Sequence, residues 1–201
     1  MQDDVLTKLP PRPPAEVCKE FELELEPEVE ALVQEELTHS ELLRRLIEGG
    51  QHTAAVRYLA HALPKREAVW WACLCIRGTL LDTLKPEVLA VLEAAEAWAR
   101  QPSDEKRRAA QAAVDAAGMD SPAAMAAMAA FFSGGSLVPT DLPEVPPAAN
   151  LTGRMVTGAV ALTAVAREPE KAAERYRAFL SKGIELAMGG QRKAPTAKPQ
   201  A

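Results

Sequence analysis

The chain is predicted to be all-α, a single irregular bundle of about eight helices, and three observations carry that prediction. From about Val29 onward the apolar residues recur with the helical period. Helix-start and helix-stop residues punctuate the pattern, with Thr38, Ser103 and Ser121 before apolar runs and Gly49-Gly50, Gly118 and Gly134-Gly135 after them. Only Phe21-Glu22-Leu23-Glu24-Leu25-Glu26 alternates like a strand, and no second convincing strand offers it an internal partner.

Residues 1–15 hold Pro10, Pro11, Pro13 and Pro14 with few apolar side chains, a composition that predicts a disordered lead-in. Residues 16–36 form an acidic arm, with Glu16, Glu20, Glu22, Glu24, Glu26, Glu28 and Glu30 against Lys19. The helical domain is expected over residues 37–188. Thr38 and Glu41 make a capping-box pattern for its first helix, which Gly49-Gly50 stops. A helix from about His52 to Ala62 carries Ala55, Leu59 and Ala62 on one face. Pro64 opens the next helix and Pro86 opens the one reaching Trp98, because proline is tolerated in the first turn.

Ser103, followed by Asp104 and Glu105, is an N-cap with negative charge in the first turn of an alanine-rich helix. Ser121-Pro122 opens another that carries Met125, Met128, Phe131 and Phe132. Residues 136–149, with Pro139, Pro143, Pro146 and Pro147, read as a linker or crossing loop. Asn150 is the expected cap of a small-residue helix to Ala166. Pro169 opens an amphipathic helix with Ala172, Tyr176, Phe179 and Leu186. Residues 189–201, with Arg192, Lys193 and Lys198, are the expected disordered basic tail. No 34-residue period is sustained, so a bundle is favoured over a repeat array.

A chain of 201 residues, 48% hydrophobic and 25% charged, is long and apolar enough for a substantial core. Aromatic residues make up only 4%, so each large side chain carries a disproportionate share of burial, about 2–3 kcal/mol apiece. A net charge of −5 argues against a nucleic-acid partner, and Arg44-Arg45 and Lys106–Arg108 read as solvated helix faces. Three cysteines, an odd number, make no disulfide framework. Met1-Gln2-Asp3-Asp4 lacks a secretory n-region, and Met155 to Ala166 is shorter than the about 20 residues of a membrane span. The expected setting is a reducing cytoplasm, with no membrane span.

The segment His61 to Arg77 is the most informative in the chain. It packs Pro64, the triplet Lys65-Arg66-Glu67 and adjacent Trp70 and Trp71 into one turn-to-helix unit, with no charge from Ala68 to Ile76. Cys73 and Cys75 stand about 200° apart around a helix and cannot clamp one metal, so they are expected as buried hydrophobes. The tryptophans are about 100° apart and should face different neighbours. Arg66 precedes Trp70 by four residues and is placed to cover its ring. His39, His52 and His61 sit in no nucleophile or metalloprotease motif, and no phosphate-binding glycine loop is present. No catalytic residue, cofactor or metal site is therefore assigned. His61, Arg66, Glu67, Trp70 and Arg77 remain as candidates for a polar network or interaction face, and Phe21, Leu23 and Leu25 for a recognition arm.

His61-Ala62-Leu63-Pro64-Lys65-Arg66-Glu67-Ala68-Val69-Trp70-Trp71-Ala72-Cys73 is similar to the signature of a family of uncharacterised helical bacterial proteins. Glu168 through Tyr176 and on to Ala187 resembles its second landmark, so the likeness covers roughly residues 51–188. Such proteins recur near type VI secretion genes. The resemblance implies an accessory or adaptor role there and carries over no activity.

The sequence thus favours a non-enzymatic cytoplasmic module that binds another protein, with residues 16–26 either donating a strand to an exposed sheet edge or packing on the bundle as a loop or short helix. One alternative is a helical enzyme or small-ligand binder with a pocket near His61, Arg66, Glu67 and Arg77. Another is a structural protein that self-associates through its alanine-rich helices. Oligomeric state is left open.

Overall fold

The computed structural model describes residues 6–33, 36–139 and 141–189, and among them every regular element is helical. The ten α-helices are α1 (Pro14–Glu20), α2 (Pro27–Val33), α3 (His39–Glu48), α4 (His52–Ala62), α5 (Lys65–Leu80), α6 (Pro86–Arg100), α7 (Asp104–Ala117), α8 (Pro122–Phe131), α9 (Leu151–Val165) and α10 (Ala172–Ala187). Short 3₁₀ turns occupy Leu81–Thr83 and Pro169–Lys171. The count exceeds eight because the N-terminal region contributes α1 and α2. No described helix is long and apolar enough to cross a membrane.

Helix α5 is the axis of the bundle and packs against α4, α6, α8, α9 and α10. Its segment from Glu67 to Cys73 is buried without interruption. Trp71 Nε1 donates to the Phe179 carbonyl at 2.7 Å, tying α5 to α10, while Trp70 faces α6 beneath the Arg100 guanidinium. The two rings do face different neighbours. Gly183 makes the α10 contact feasible, since a Cβ there would lie 2.7 Å from Leu59 Cδ2 and 2.9 Å from Trp71 Cε2.

Helix α8 is apolar all round, and Ala123, Ala124, Ala126, Ala127, Ala129 and Ala130 are fully buried. That is the burial an unrelieved apolar helix requires, and its small side chains let α6, α7 and α9 close in on it. The predicted caps form. Thr38 and Glu41 make both bonds of the capping box, and Ser103 accepts from Lys106 N–H at 3.2 Å. Asn150 differs: its side chain makes no cap bond to α9 and instead donates to the Phe21 carbonyl at 3.4 Å.

Four further expectations are corrected. First, residues 6–13 are not a free lead-in but a strap laid across the bundle, with Leu6 and Leu9 buried and Lys8 N–H donating to the Ala187 carbonyl at 2.9 Å. Its prolines fix φ and remove donors, so the strap packs with little backbone hydrogen bonding to satisfy. Second, of the two readings of Phe21–Glu26 the strand fails and the loop packed on the bundle holds. Burial alternates along it, Phe21, Leu23 and Leu25 half-buried and the glutamates exposed, but the backbone bonds locally, Leu23 N–H to the Cys18 carbonyl at 2.9 Å. Pro27 then begins a helix.

Third, Lys106–Arg108 is not a wholly solvated face. Arg107 is 3% exposed and donates to the carbonyls of Phe131 and Ser136, each at 3.0 Å, so it closes the C-terminal end of α8 and anchors the following loop. Fourth, Arg66 does not cover Trp70; Arg100 does, with Cζ 5.3 Å from the ring centre. Residues 190–201, most of the expected basic tail, lie outside the described residues.

Candidate functional site

The candidates between His61 and Arg77 fall on two sides of α5. On the α6 side lies a polar seam. Arg66 Nε and Nη2 donate to the Ala99 and Arg100 carbonyls at 2.8 and 2.9 Å, which closes the C-terminal end of α6. Arg77 grips Glu96 bidentately, Nε to Oε1 at 2.6 Å and Nη2 to Oε2 at 2.8 Å, and Arg100 Nη2 reaches the same carboxylate at 2.9 Å. Glu96 is 2% exposed. Its charge is tolerable there because two guanidiniums and a bidentate fork replace water. The seam is a clasp between α5 and α6, and Glu96 is the residue that sequence reasoning missed.

On the other side His61 and Lys65 face the strap, which carries Lys8 and Arg12, across from Thr152 and Gly153 in the first turn of α9. Together they line a cleft of about 270 Å³ whose other walls are largely apolar, including Pro10, Phe21 and Leu63. Lys8 Nζ stands 3.4 Å from Glu67 Oε1, Arg12 pairs with Glu20, and Lys65 Nζ donates to the Ser133 carbonyl at 3.0 Å. Burial lowers the pKa of Lys65. The His61 ring lies directly on α9, since a Cβ at Gly153 would fall 2.3 Å from its Cδ2, and Phe21 packs on its other side with centroids 5.5 Å apart.

His61 Nδ1 lies 2.8 Å from the Arg57 carbonyl, so in the neutral ring Nδ1 carries the proton. Burial is the main cause of its lowered pKa; the Arg57 and Asn150 carbonyls work against it, and the charges of Arg154 and Arg57 add to it. Three buried side-chain atoms of cleft residues lack a hydrogen-bond partner: Arg12 Nε, His61 Nε2 and Thr152 Oγ1. A buried polar group without a partner costs about 1–3 kcal/mol, so finding three around one cleft calls for a physical account. The other unpartnered atoms among the described residues are His52 Nε2 and Trp70 Nε1, which lie elsewhere.

The structure therefore separates the residues of the expected pocket. Arg66, Trp70 and Arg77 belong to the seam, whereas His61 lines the cleft and Glu67 reaches it through Lys8. Nothing in the spacing of Lys8, Arg12 or Thr152 announces the cleft, because the strap and α9 lie far from His61 in the chain. Cys73 and Cys75 are fully buried free thiols whose pKa values burial pushes up, which makes them inert as nucleophiles. Among the described residues no group of three or more His, Cys, Asp and Glu side chains could hold a metal ion.

These features define an all-helical protein clasped by an internal ion-pair seam and opened on one side by a basic cleft. The chain belongs to a family of unknown function, DUF6931, whose model matches residues 42–187. Neither a curated protein nor a solved structure matches it. The matched span includes His61, Glu67, the whole seam and Thr152, while the strap and the acidic arm precede it.

Proposed function

We propose that the chain is a non-enzymatic protein–protein interaction module whose docking surface is the acidic arm. On its resemblance to bacterial proteins recurring near type VI secretion genes, we place it as a cytoplasmic accessory or adaptor of such an apparatus. One observation supports the docking surface. Cys18, Leu23, Leu25 and Val33 line a groove of about 490 Å³ whose rim carries Glu16, Glu22 and Glu30 against the single cation Lys19. The three glutamates are exposed, Leu23 and Leu25 are half-buried, and Cys18 and Val33 close the floor.

An apolar floor with a like-charged rim complements a basic amphipathic segment. Its apolar side chains would enter the groove while its Lys and Arg residues meet the glutamates. Recognition then comes from a folded groove and not from a donated strand, so cutting off the arm is a poor test because it also strips the core. Charge reversal is the sharper one. Glu16→Lys with Glu30→Lys should abolish capture of a secretion component through its basic segment, with circular dichroism unchanged. Capture weakening with added salt would accord with the reading. Equal capture by the parent and the reversed chain would overturn it.

The reading built on a pocket of His61, Arg66, Glu67 and Arg77 loses support because two of the four serve the clasp. Self-association through alanine-rich faces loses support at α8, whose alanines are all inside the bundle.

A further inference from the structure

The cleft on the far side of α5 is independent of the arm groove, and its chemistry points to a different ligand. We propose that it binds a small phosphate-bearing anion, held by Lys8 and Arg12 of the strap, His61 and Lys65 flanking the α4–α5 turn, and Thr152 at the start of α9.

Three observations converge. The first is a concentration of donors: Lys8, Arg12 and Lys65 bring three cations to one cleft of about 270 Å³, two of them set against Glu67 and Glu20. The second is the orientation of α9. This 15-residue helix starts at the cleft with Thr152 and Gly153 in its first turn, and no side chain caps it, so its positive end is available to an anion. The third is the set of unpartnered atoms. Thr152 is 1% exposed and His61 7%, yet Thr152 Oγ1 and His61 Nε2 make no hydrogen bond, and neither does Arg12 Nε. The Asn150 carbonyl favours a protonated His61 ring but completes no bond to Nε2.

A hydroxyl and a guanidinium N–H are donors awaiting acceptors, whereas His61 Nε2 is a lone-pair acceptor in the neutral ring that burial favours and becomes a donor only when the ring takes up a proton. Lys8 and Arg12 already hold Glu67 and Glu20, so an incoming anion must compete with carboxylates. A phosphate, with nearly two charges and at least three acceptor oxygens, outcompetes a singly charged carboxylate there. The apolar walls fit a short carbon body attached to that head.

The test uses the full chain in phosphate-free buffer, titrated with inorganic phosphate and followed by calorimetry and by the His61 ring resonances. Saturable binding with a Kd at or below about 1 mM, a phosphate-dependent shift of the His61 resonances, and acetate at least about tenfold weaker are expected. Thr152→Val should weaken phosphate by about tenfold or more with the fold intact. Arg12→Gln, outside the helical core, serves the same purpose should the first variant not fold. No saturable heat, an unmoved His61 ring, or binding indifferent to these substitutions would overturn the site. Acetate binding as tightly as phosphate would overturn the phosphate assignment.

Discussion

The two faces of α5 treat buried polar groups in opposite ways. On the α6 face each charge has its counterpart, with Arg77 and Arg100 sharing Glu96 and Arg66 closing the end of α6. On the strap face Arg12 Nε, His61 Nε2 and Thr152 Oγ1 are sealed from water with no partner. The first arrangement defines how two helices sit and pairs its charges internally, with Trp70 Nε1 its one unpartnered atom among the described residues. The second is incomplete as it stands, and an incomplete polar site is where a ligand can add bonds that the protein itself does not make. The contrast also explains why Arg77, held bidentately by Glu96, is a poor functional candidate.

Breaking the clasp should give the largest effect. Glu96→Ala leaves Arg77 without its buried carboxylate and should lower stability by about 3 kcal/mol, the low end for a broken buried pair because Arg100 is half exposed. Urea unfolding followed by tryptophan fluorescence measures it. Adding Arg77→Met to Glu96→Leu should restore most of that loss, since replacing both partners removes the uncompensated charge. No recovery in the double variant would show that the seam does more than clasp.

Acidification should act next, and through the histidines. Burial lowers the pKa of His61, and burial followed by the Arg177 charge lowers that of His52, from an ordinary value of 6.5. A histidine whose folded pKa lies below its unfolded one contributes stability above the unfolded pKa, and that contribution is lost as pH falls through the folded pKa. The urea midpoint should therefore be flat above about pH 7 and fall below about pH 6. Phosphate-free His61→Gln should flatten part of that fall, and an unchanged slope would remove His61 from the account.

Thr152→Val sharpens the contrast from the other side. Exchanging an unpartnered buried hydroxyl for a methyl of similar shape should be neutral or slightly stabilising, within about 1 kcal/mol. A loss like that of Glu96→Ala would show that the hydroxyl is already satisfied. The smallest effect is expected at the arm, where Glu16→Lys with Glu30→Lys replaces exposed side chains and should leave the melting midpoint unmoved.

Much of the scaffold is legible in the sequence because local signals agree with it. The Thr38–Glu41 box, the Ser103 cap and the uncharged run around Trp70 and Trp71 all depend on neighbours within a turn or two. Legibility stops where partners are distant. Phe21–Glu26 shows the burial alternation of a strand, but alternation reports only a half-buried extended chain, and strand pairing needs a second edge. Arg107 looks solvated inside a charged triplet because the carbonyls it serves, Phe131 and Ser136, lie more than twenty residues on. Glu96 did leave a signal: it stands four residues before Arg100 on the same stripe as Leu92, Ala95 and Ala99, where a carboxylate has no place unless a cation meets it. The cleft left none, because His61, Lys8 and Thr152 are brought together only by the tertiary fold.

The bond from Lys8 N–H to the Ala187 carbonyl joins the strap to the last turn of α10, across nearly the whole described chain. Closing so long a loop is entropically demanding, and the contact should form late in folding. The cleft wall is thus assembled only after the bundle exists, and it is also the part that local opening would release first. Hydrogen exchange at Lys8 should accordingly outpace exchange at Trp71 by orders of magnitude, so the ligand face is the molecule's movable latch while the clasp across α5 stays shut.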